Sequence, residues 1–274
     1  MKPITLGTGS PIPDPQRAGP ATLVRVAGMD FLFDCGRGVL MRAAAAMSGP
    51  AAFHTVFLTH LHSDHVTDFN DVVTMRWAMS PIVNPLRVVG PVGTAAFVER
   101  TLAMLEFDIG YRLAHHADLN WEPAIEVIET SGGVVLELEG VRVSAAPTNH
   151  RPVEPTVGYR VDFDESSVVI GGDSVPCEGL DQLCLDADIY VQTVIRESLV
   201  KSIPVPRLQD ILDYHSSTVD AGNTAQRAGV KKLVMTHLVP APWPGTEGEW
   251  IDEAKSVYQG EIVVANDLME IELP

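Results

Sequence analysis

Cysteine is scarce in this chain: Cys35, Cys177 and Cys184 are all it has. An odd number without C-x-x-C spacing excludes a disulfide scaffold and a zinc ribbon, and three buried thiols are expected. No stretch approaches the roughly 20 apolar residues of a membrane helix. The apolar run after Lys2 is cut short by Gly7 and Gly9, so no secretory leader is read there and a cytoplasmic location is expected. Basic charge is also in deficit, with 19 Lys and Arg against 36 Asp and Glu for a net charge of −17. That balance disfavours a nucleic-acid-binding module or an anionic-membrane binder, both of which need a positive surface. It remains compatible with a metal site that holds phosphate locally, because bound cations dominate the field inside a pocket. Internal repeats, heptads and low-complexity linkers are absent.

What is present is a globular composition, 46% apolar and 20% charged over 274 residues. No boundary divides the chain, so residues 1–274 are read as a single domain. Short strands are expected at Ile4–Leu6, Thr22–Val26 and Phe31–Asp34, the last two a hairpin around Gly28. Val39–Met47 has a helical composition, and Thr55–Thr59 (T-V-F-L-T) reads as a buried strand. Phe69–Met79 and Thr94–Leu105 are helical, with Leu86–Val89 a strand between them. After an acidic middle region, Val134–Leu138 and Val141–Ala145 form a hairpin about Glu139-Gly140. Strands at Gly158–Val161, Val168–Gly171, Ile189–Gln192 and Lys232–Met235 follow, with a helix at Val219–Ala228, and Ile262–Val264 and Met269–Ile271 close the chain. Two runs of strands, each passing into alternating strands and helices, suit an α/β sandwich of two mixed sheets with helices outside.

The chemistry-bearing residues gather after apolar runs. His60-Leu61-His62-Ser63-Asp64-His65 places four ligand-type side chains in six residues directly after the T-V-F-L-T strand. Neutral imidazole and carboxylate are good ligands for zinc, and histidines two apart in an extended loop can converge on one ion while the Asp-His pair turns towards a second. Three further segments repeat the pattern: Val143–Ala146 leads to Asn149-His150, Val168–Gly172 to Asp173, and Leu233–Thr236 to His237. His54 and the pair His115-His116 are read as loop or polar-stretch residues. Trp77 and Trp243 are read as core or rim, and Trp243 stands where it could wall the pocket. Gly7-Thr8-Gly9 lacks the third glycine of a dinucleotide fingerprint and is read as a turn.

In this order, these residues resemble the metallo-β-lactamase superfamily, and within it the ribonuclease Z-like branch. The likeness runs through Leu6-Gly7-Thr8-Gly9-Ser10-Pro11, Phe33-Asp34-Cys35-Gly36, Thr59–His65, Asn149-His150, Gly158-Tyr159-Arg160, Gly171-Gly172-Asp173-Ser174, His215-Ser216-Ser217-Thr218 and Met235-Thr236-His237. It implies an αββα sandwich with a two-metal site along one edge. By position, His60, His62 and His150 would hold one zinc, Asp64, His65 and His237 the other, and Asp173 would bridge them. Asp34 would orient a ligand histidine. His215 would be the proton donor to the leaving oxygen, and with Asp64 it makes up the expected catalytic pair. Two zinc ions, or manganese in their place, would lower the pKa of a shared water and supply hydroxide near neutral pH.

The implied activity is hydrolysis of a phosphodiester in the manner of ribonuclease Z, by a cytoplasmic homodimer. Two departures shift the expected substrate from whole precursor transfer RNA towards small phosphodiesters or RNA ends. Only Asp162–Ser167 stands where the branch carries a long arm that grips transfer RNA. Thr193 stands where the branch has a glutamate partner for the acid histidine, with Glu197 as a substitute candidate. Arg37 occupies a position where the branch often has glutamate. Because two metals on one fold do not fix the substrate, hydrolysis of an aryl sulfate or lactone on the same site is the alternative, followed by a metal-binding protein without catalysis.

Overall fold

The computed structural model describes residues 1–274. The first half runs β1 (Lys2–Gly7), β2 (Ala21–Val26), β3 (Met29–Phe33), α1 (Val39–Ala45), β4 (Phe53–Phe57), α2 (Ser63–Val66), α3 (Phe69–Met79), β5 (Leu86–Gly90), α4 (Thr94–Met104), α5 (Glu106–His115) and β6 (Ile125–Glu129). The second runs β7 (Gly133–Leu138), β8 (Val141–Pro147), β9 (Val157–Phe163), β10 (Ser166–Ile170), α6 (Glu178–Cys184), β11 (Ile189–Ile195), α7 (Glu197–Ser202), α8 (Pro206–Gln209), a 3₁₀ turn (Asp210–Asp213), α9 (Thr218–Ala228), β12 (Lys232–Val239), α10 (Glu247–Lys255), β13 (Glu261–Val264) and β14 (Met269–Glu270).

The first half supplies six strands of one seven-stranded sheet and the second half all seven of the other, each sheet in two styles. Strands β1, β2 and β3 are antiparallel, while β3 to β6 are parallel. The second sheet repeats this, antiparallel from β7 to β10 and parallel from β10 to β13. The short strand β14 crosses back to pair with β1. Hairpin chemistry explains the antiparallel parts: Ala27-Gly28 and Glu139-Gly140 both have positive φ, the geometry of the two-residue turns that match strand twist. Parallel neighbours need crossovers, and helices supply them on the outer faces.

Both faces of each sheet are therefore covered, which is why strands such as β11 and β12 are buried along their whole length. Between the sheets, Phe31, Phe33 and Phe57 meet Tyr159, Val161, Val191 and Val234. The Phe33 and Phe57 rings stack with centroids 4.7 Å apart. Tyr159 buries its ring among them and donates its hydroxyl to the Leu58 carbonyl at 2.8 Å, pinning the segment that leads to His60. On the outside, α1, α3 and α4 pack Val39, Phe69, Val72 and Val98 on the first sheet. Helices α6, α9 and α10 pack Leu180, Ala221, Ala225 and Trp250 on the second. Helix α6 sits so close to β8 that a Cβ on Gly179 would lie 1.8 Å from the Pro147 carbonyl oxygen. The architecture is the expected αββα sandwich.

Several local expectations change. The acidic middle region contains a helix, α5, and a strand, β6. None of α5 is buried, and its apolar residues Phe107, Ile109, Tyr111 and Leu113 fall at every second position, the period of a strand rather than of a helix. Helices α6, α7, α8 and α10 are likewise additions. The strand before the histidine cluster is Phe53–Phe57 rather than Thr55–Thr59, because the backbone bends at Thr59 to deliver the cluster. His54 belongs to that strand, with its ring edge against Phe31 at 5.4 Å. Of the three thiols, Cys35 and Cys184 are buried and Cys177 is half-buried.

Candidate metal centre

Strand ends deliver the ligand-type residues to one edge of the sandwich. Strand β4 runs through Leu58-Thr59 into His60 and His62, and α2 then carries Asp64 and His65. The end of β8 leads to His150, the end of β10 to Asp173, and β12 carries His237. Strands β10 and β12 flank β11 in parallel, so Asp173 and His237 leave the same edge, with His237 Nε2 3.7 Å from Asp173 Oδ2. Three residues here have backbone in the left-handed region: Asp34 has φ 61°, His237 φ 50° and Gly172 φ 65°. Such conformations cost of order 1–3 kcal/mol in non-glycine residues and persist where the surroundings over-determine them. At Gly172 a side chain has no space either, since its Cβ would approach Thr59 Cβ to 2.8 Å.

The seven expected ligands converge. One atom each of His60, His62, His150 and Asp173 lie within 4.8 Å of one another, as do those of Asp64, His65 and His237. Asp173 also joins His215 and His237 in a third such group, so it faces both sides. His62 Nδ1 lies 3.1 Å from His60 Nε2 and 3.2 Å from His150 Nε2. His237 Nε2 lies 3.1 Å from Asp64 Oδ2. All are buried except half-buried His62.

Three of the outward ring nitrogens are held by other groups, which sets the orientation of those imidazoles, while His237 Nδ1 is buried without a hydrogen-bond partner. His60 Nδ1 is 3.0 Å from Thr59 Oγ1, His150 Nδ1 is 2.8 Å from the Tyr214 carbonyl, and His65 Nδ1 is 2.8 Å from Asp34 Oδ2. Asp34 also accepts from the Thr59 backbone N–H at 2.8 Å and from its hydroxyl at 2.9 Å. One carboxylate thus fixes both His65 and the turn before His60, the partner arrangement metal-ligating histidines require.

This donor set fits a metal. Three imidazole nitrogens point at one another with too few protons to satisfy them all, and His65 Nε2 and Asp173 Oδ1 are buried with no partner in the protein. Orphaned buried polar atoms of this kind call for a bound ion or water. Electrostatics divide the cluster in two. Burial pushes His60 well below the usual imidazole range, lowers His62 and takes His150 to about 4, so these three are neutral donors. Burial also opposes charge on His65, but the carboxylates of Asp173 and Asp34 overcome it and raise that pKa well above the ordinary value. His237 is raised in the same way against its burial, by Asp173 and Asp64. Burial would raise Asp173, yet His237 and His65 hold its carboxyl well below the usual range.

His215 stands at the mouth, Nε2 3.2 Å from Asp173 Oδ2 and Nδ1 3.2 Å from the Ile211 carbonyl. Its neighbour Tyr214 faces His150 with ring centroids 5.2 Å apart, and sequence reasoning did not single it out. The pocket above the cluster, about 140 Å³, is lined also by Ser10, Pro11, Ile12, Leu208 and Val239. Glu197 does not take the place of the missing glutamate: it opens α7 and pairs with Lys201, leaving Ile211 to hold the His215 ring. Thr193 instead donates to the Gly172 carbonyl at 2.9 Å, supporting the loop of Asp173. Trp243 does not wall this pocket, and His116 lies in a separate small cavity beside Arg112. The Arg37 side chain is exposed, and nothing in the structure explains its identity.

Residues 30–238 match the Beta-lactamase superfamily domain. A curated ribonuclease Z of Mycobacterium avium is 54% identical over 270 residues, 98% of this chain and 96% of that protein. The chain belongs to the ribonuclease Z family of the β-lactamase superfamily. Among solved structures, the short form of human tRNase Z aligns over 100% of both chains with a TM-score of 0.74 at 23% identity. A metallo-beta-lactamase fold protein from Bacillus subtilis gives the same TM-score at 20% identity, covering 98% of each chain. At these identities the structures speak for the fold alone, and family membership rests on the sequence matches. Fold and His/Asp cluster together imply a bound metal.

Proposed function

We propose that this chain is a metal-dependent ribonuclease that hydrolyses a phosphodiester bond at an RNA end. The observation that carries the reading is the convergence of seven ligand-type side chains from four strand ends, with His65 Nε2 and Asp173 Oδ1 left without protein partners. We assign His60, His62 and His150 to one zinc or manganese ion, Asp64, His65 and His237 to a second, and Asp173 to both. Bound there, the pair supplies an activated water and stabilises negative charge on the substrate. Asp34 holds His65 and, through Thr59, the approach to His60. His215, its ring held at Nδ1 by the Ile211 carbonyl, is the residue we assign to supply the proton to the leaving oxygen.

The short turn between β9 and β10 is no obstacle to an RNA substrate. A 270-residue match that takes in 96% of the M. avium ribonuclease Z leaves that protein little room for an inserted arm as well. The sandwich core draws on both sheets and the ligands come from both halves, which supports a single domain over 1–274. No helix is long and apolar enough to cross a membrane. A cytoplasmic location and a homodimer complete the proposal, on the ground of the family.

Metal content by plasma mass spectrometry, measured beside rates on a phosphodiester, an aryl sulfate and a lactone with zinc and with manganese, tests this. Two ions per chain and preference for the phosphodiester are expected. Fast turnover of another ester with none of the phosphodiester would replace the reading, and two bound ions without any hydrolysis would make the chain a metal-binding protein.

A further inference from the structure

A cavity of about 620 Å³ lies beside the metal pocket rather than over it. The same two segments wall both. The loop after β1 lines the metal pocket with Ser10, Pro11 and Ile12 and the cavity with Asp14 and Gln16. The chain leaving β12 lines the first with His237 and Val239 and the second with Trp243 and Glu247. Leu238 N–H donates to the Thr8 carbonyl at 3.2 Å, clamping the two segments together.

Most charge in this cavity is already committed. Arg17 donates to Thr8 Oγ1 at 2.6 Å, to the Ala265 carbonyl at 2.9 Å and to Asn266 Oδ1 at 2.9 Å. Asp267 accepts from Arg42 and from the backbone N–H groups of Thr8 and Ala18. What stays on offer is the Trp243 ring, 80% exposed, with the free Gln16 amide and Glu247 carboxylate around it. Pro240, Pro242 and Pro244 stiffen the segment that carries the ring, and Thr246 N–H donates to the Trp243 carbonyl at 2.9 Å. A large aromatic face displayed on rigid backbone loses little entropy on contact.

We propose that this cavity is a nucleobase subsite, in which Trp243 stacks an unpaired base of the RNA strand next to the scissile phosphodiester. This deepens the ribonuclease reading and rests on it. Stacking on aromatic side chains tolerates any base and is the usual way unpaired RNA is held. The acidic rim of Asp14 and Glu247 decides which part of the nucleotide enters: it repels phosphate, so the base turns in and the backbone stays outside. The short run of chain between His237 and Trp243 makes the two sites neighbours on one strand of RNA.

The test is a binding cycle on the metal-loaded protein. Its ligands are a labelled single-stranded oligoribonucleotide with cleavage-resistant phosphorothioate linkages and an abasic counterpart of equal charge. Fluorescence anisotropy should show Trp243→Ala weakening the intact oligonucleotide about tenfold. Trp243→Phe should recover most of that loss, and the abasic oligonucleotide should bind wild type and Trp243→Ala alike. Equal binding of the intact oligonucleotide by wild type and Trp243→Ala, or an equal loss on both oligonucleotides, overturns the subsite. Turnover of a small chromogenic phosphodiester, run in parallel, reports on the catalytic reading separately. A base-dependent cycle without such turnover keeps the subsite and removes only the activity.

Discussion

Asp34 shows how much of this centre depends on a residue outside the expected ligand set. Its carboxylate accepts a hydrogen bond from Thr59 N–H and faces His65 Nδ1 from a left-handed backbone position that Asp and Asn tolerate better than other side chains. Asp34→Asn keeps that backbone preference and removes the charge, so it isolates the electrostatic part. Losing such a partner usually costs 10–100-fold in metal affinity or activity. A drop of about that size is expected in competition titrations with a chromophoric chelator, while the urea midpoint of the metal-free protein moves little. Unchanged affinity would mean that Asp34 serves only the turn at Thr59. The converging side chains were legible from the sequence because four of them fall within six residues and each of the others follows an apolar run. What holds the rings was not: the Tyr214 carbonyl at His150 and the Ile211 carbonyl at His215 carry no side-chain signal at all.

Among the elements, the starts of three parallel strands meet on one side chain, opposite the ends that carry the site. Asp188 accepts from Ser167 N–H at 2.7 Å at the start of β10, precedes β11, and pairs at 2.7 Å with Lys231 just before β12. Burial alone would raise its pKa, but the Lys231 ammonium and the Ser167 N–H together hold it below the usual carboxylate value. A depressed folded pKa stabilises the protein above the unfolded value of about 3.9, and that stability is lost as pH falls through the folded one. Asp188→Asn is therefore expected to lower the urea midpoint at pH 5–8, with the gap to wild type closing below about pH 4. A gap that persists unchanged to pH 3 would assign the effect to packing instead. The strands of this sheet were readable from their Val and Ile runs, and one hairpin in each sheet from its Gly-containing turn. Helix α5 was not, because Phe107, Ile109, Tyr111 and Leu113 alternate along it at the period of a strand. The short helices α7 and α8 offer too few residues for any period to show.

At the scale of the whole molecule, a body of net charge −17 has to admit a polyanion. Proteins that grip nucleic acid through many Lys and Arg contacts lose affinity steeply with salt, because phosphate contacts release counterions. Here the attraction is confined to a buried metal cluster, while the surrounding surface repels the strand over distances set by screening. The Debye length falls from about 30 Å at 0.01 M to about 10 Å at 0.1 M salt, so added salt removes long-range repulsion before it reaches the short-range contacts. The sign of the salt effect should therefore be the reverse of that for a basic ribonuclease. Between about 10 and 100 mM potassium chloride, at fixed metal concentration, kcat/KM on a single-stranded RNA is expected to rise or stay level. A small monoanionic phosphodiester, with one charge to repel, should respond less. A steep fall for the RNA across that range would show that a basic surface, supplied by folding or by a second copy of the chain, does the gripping after all.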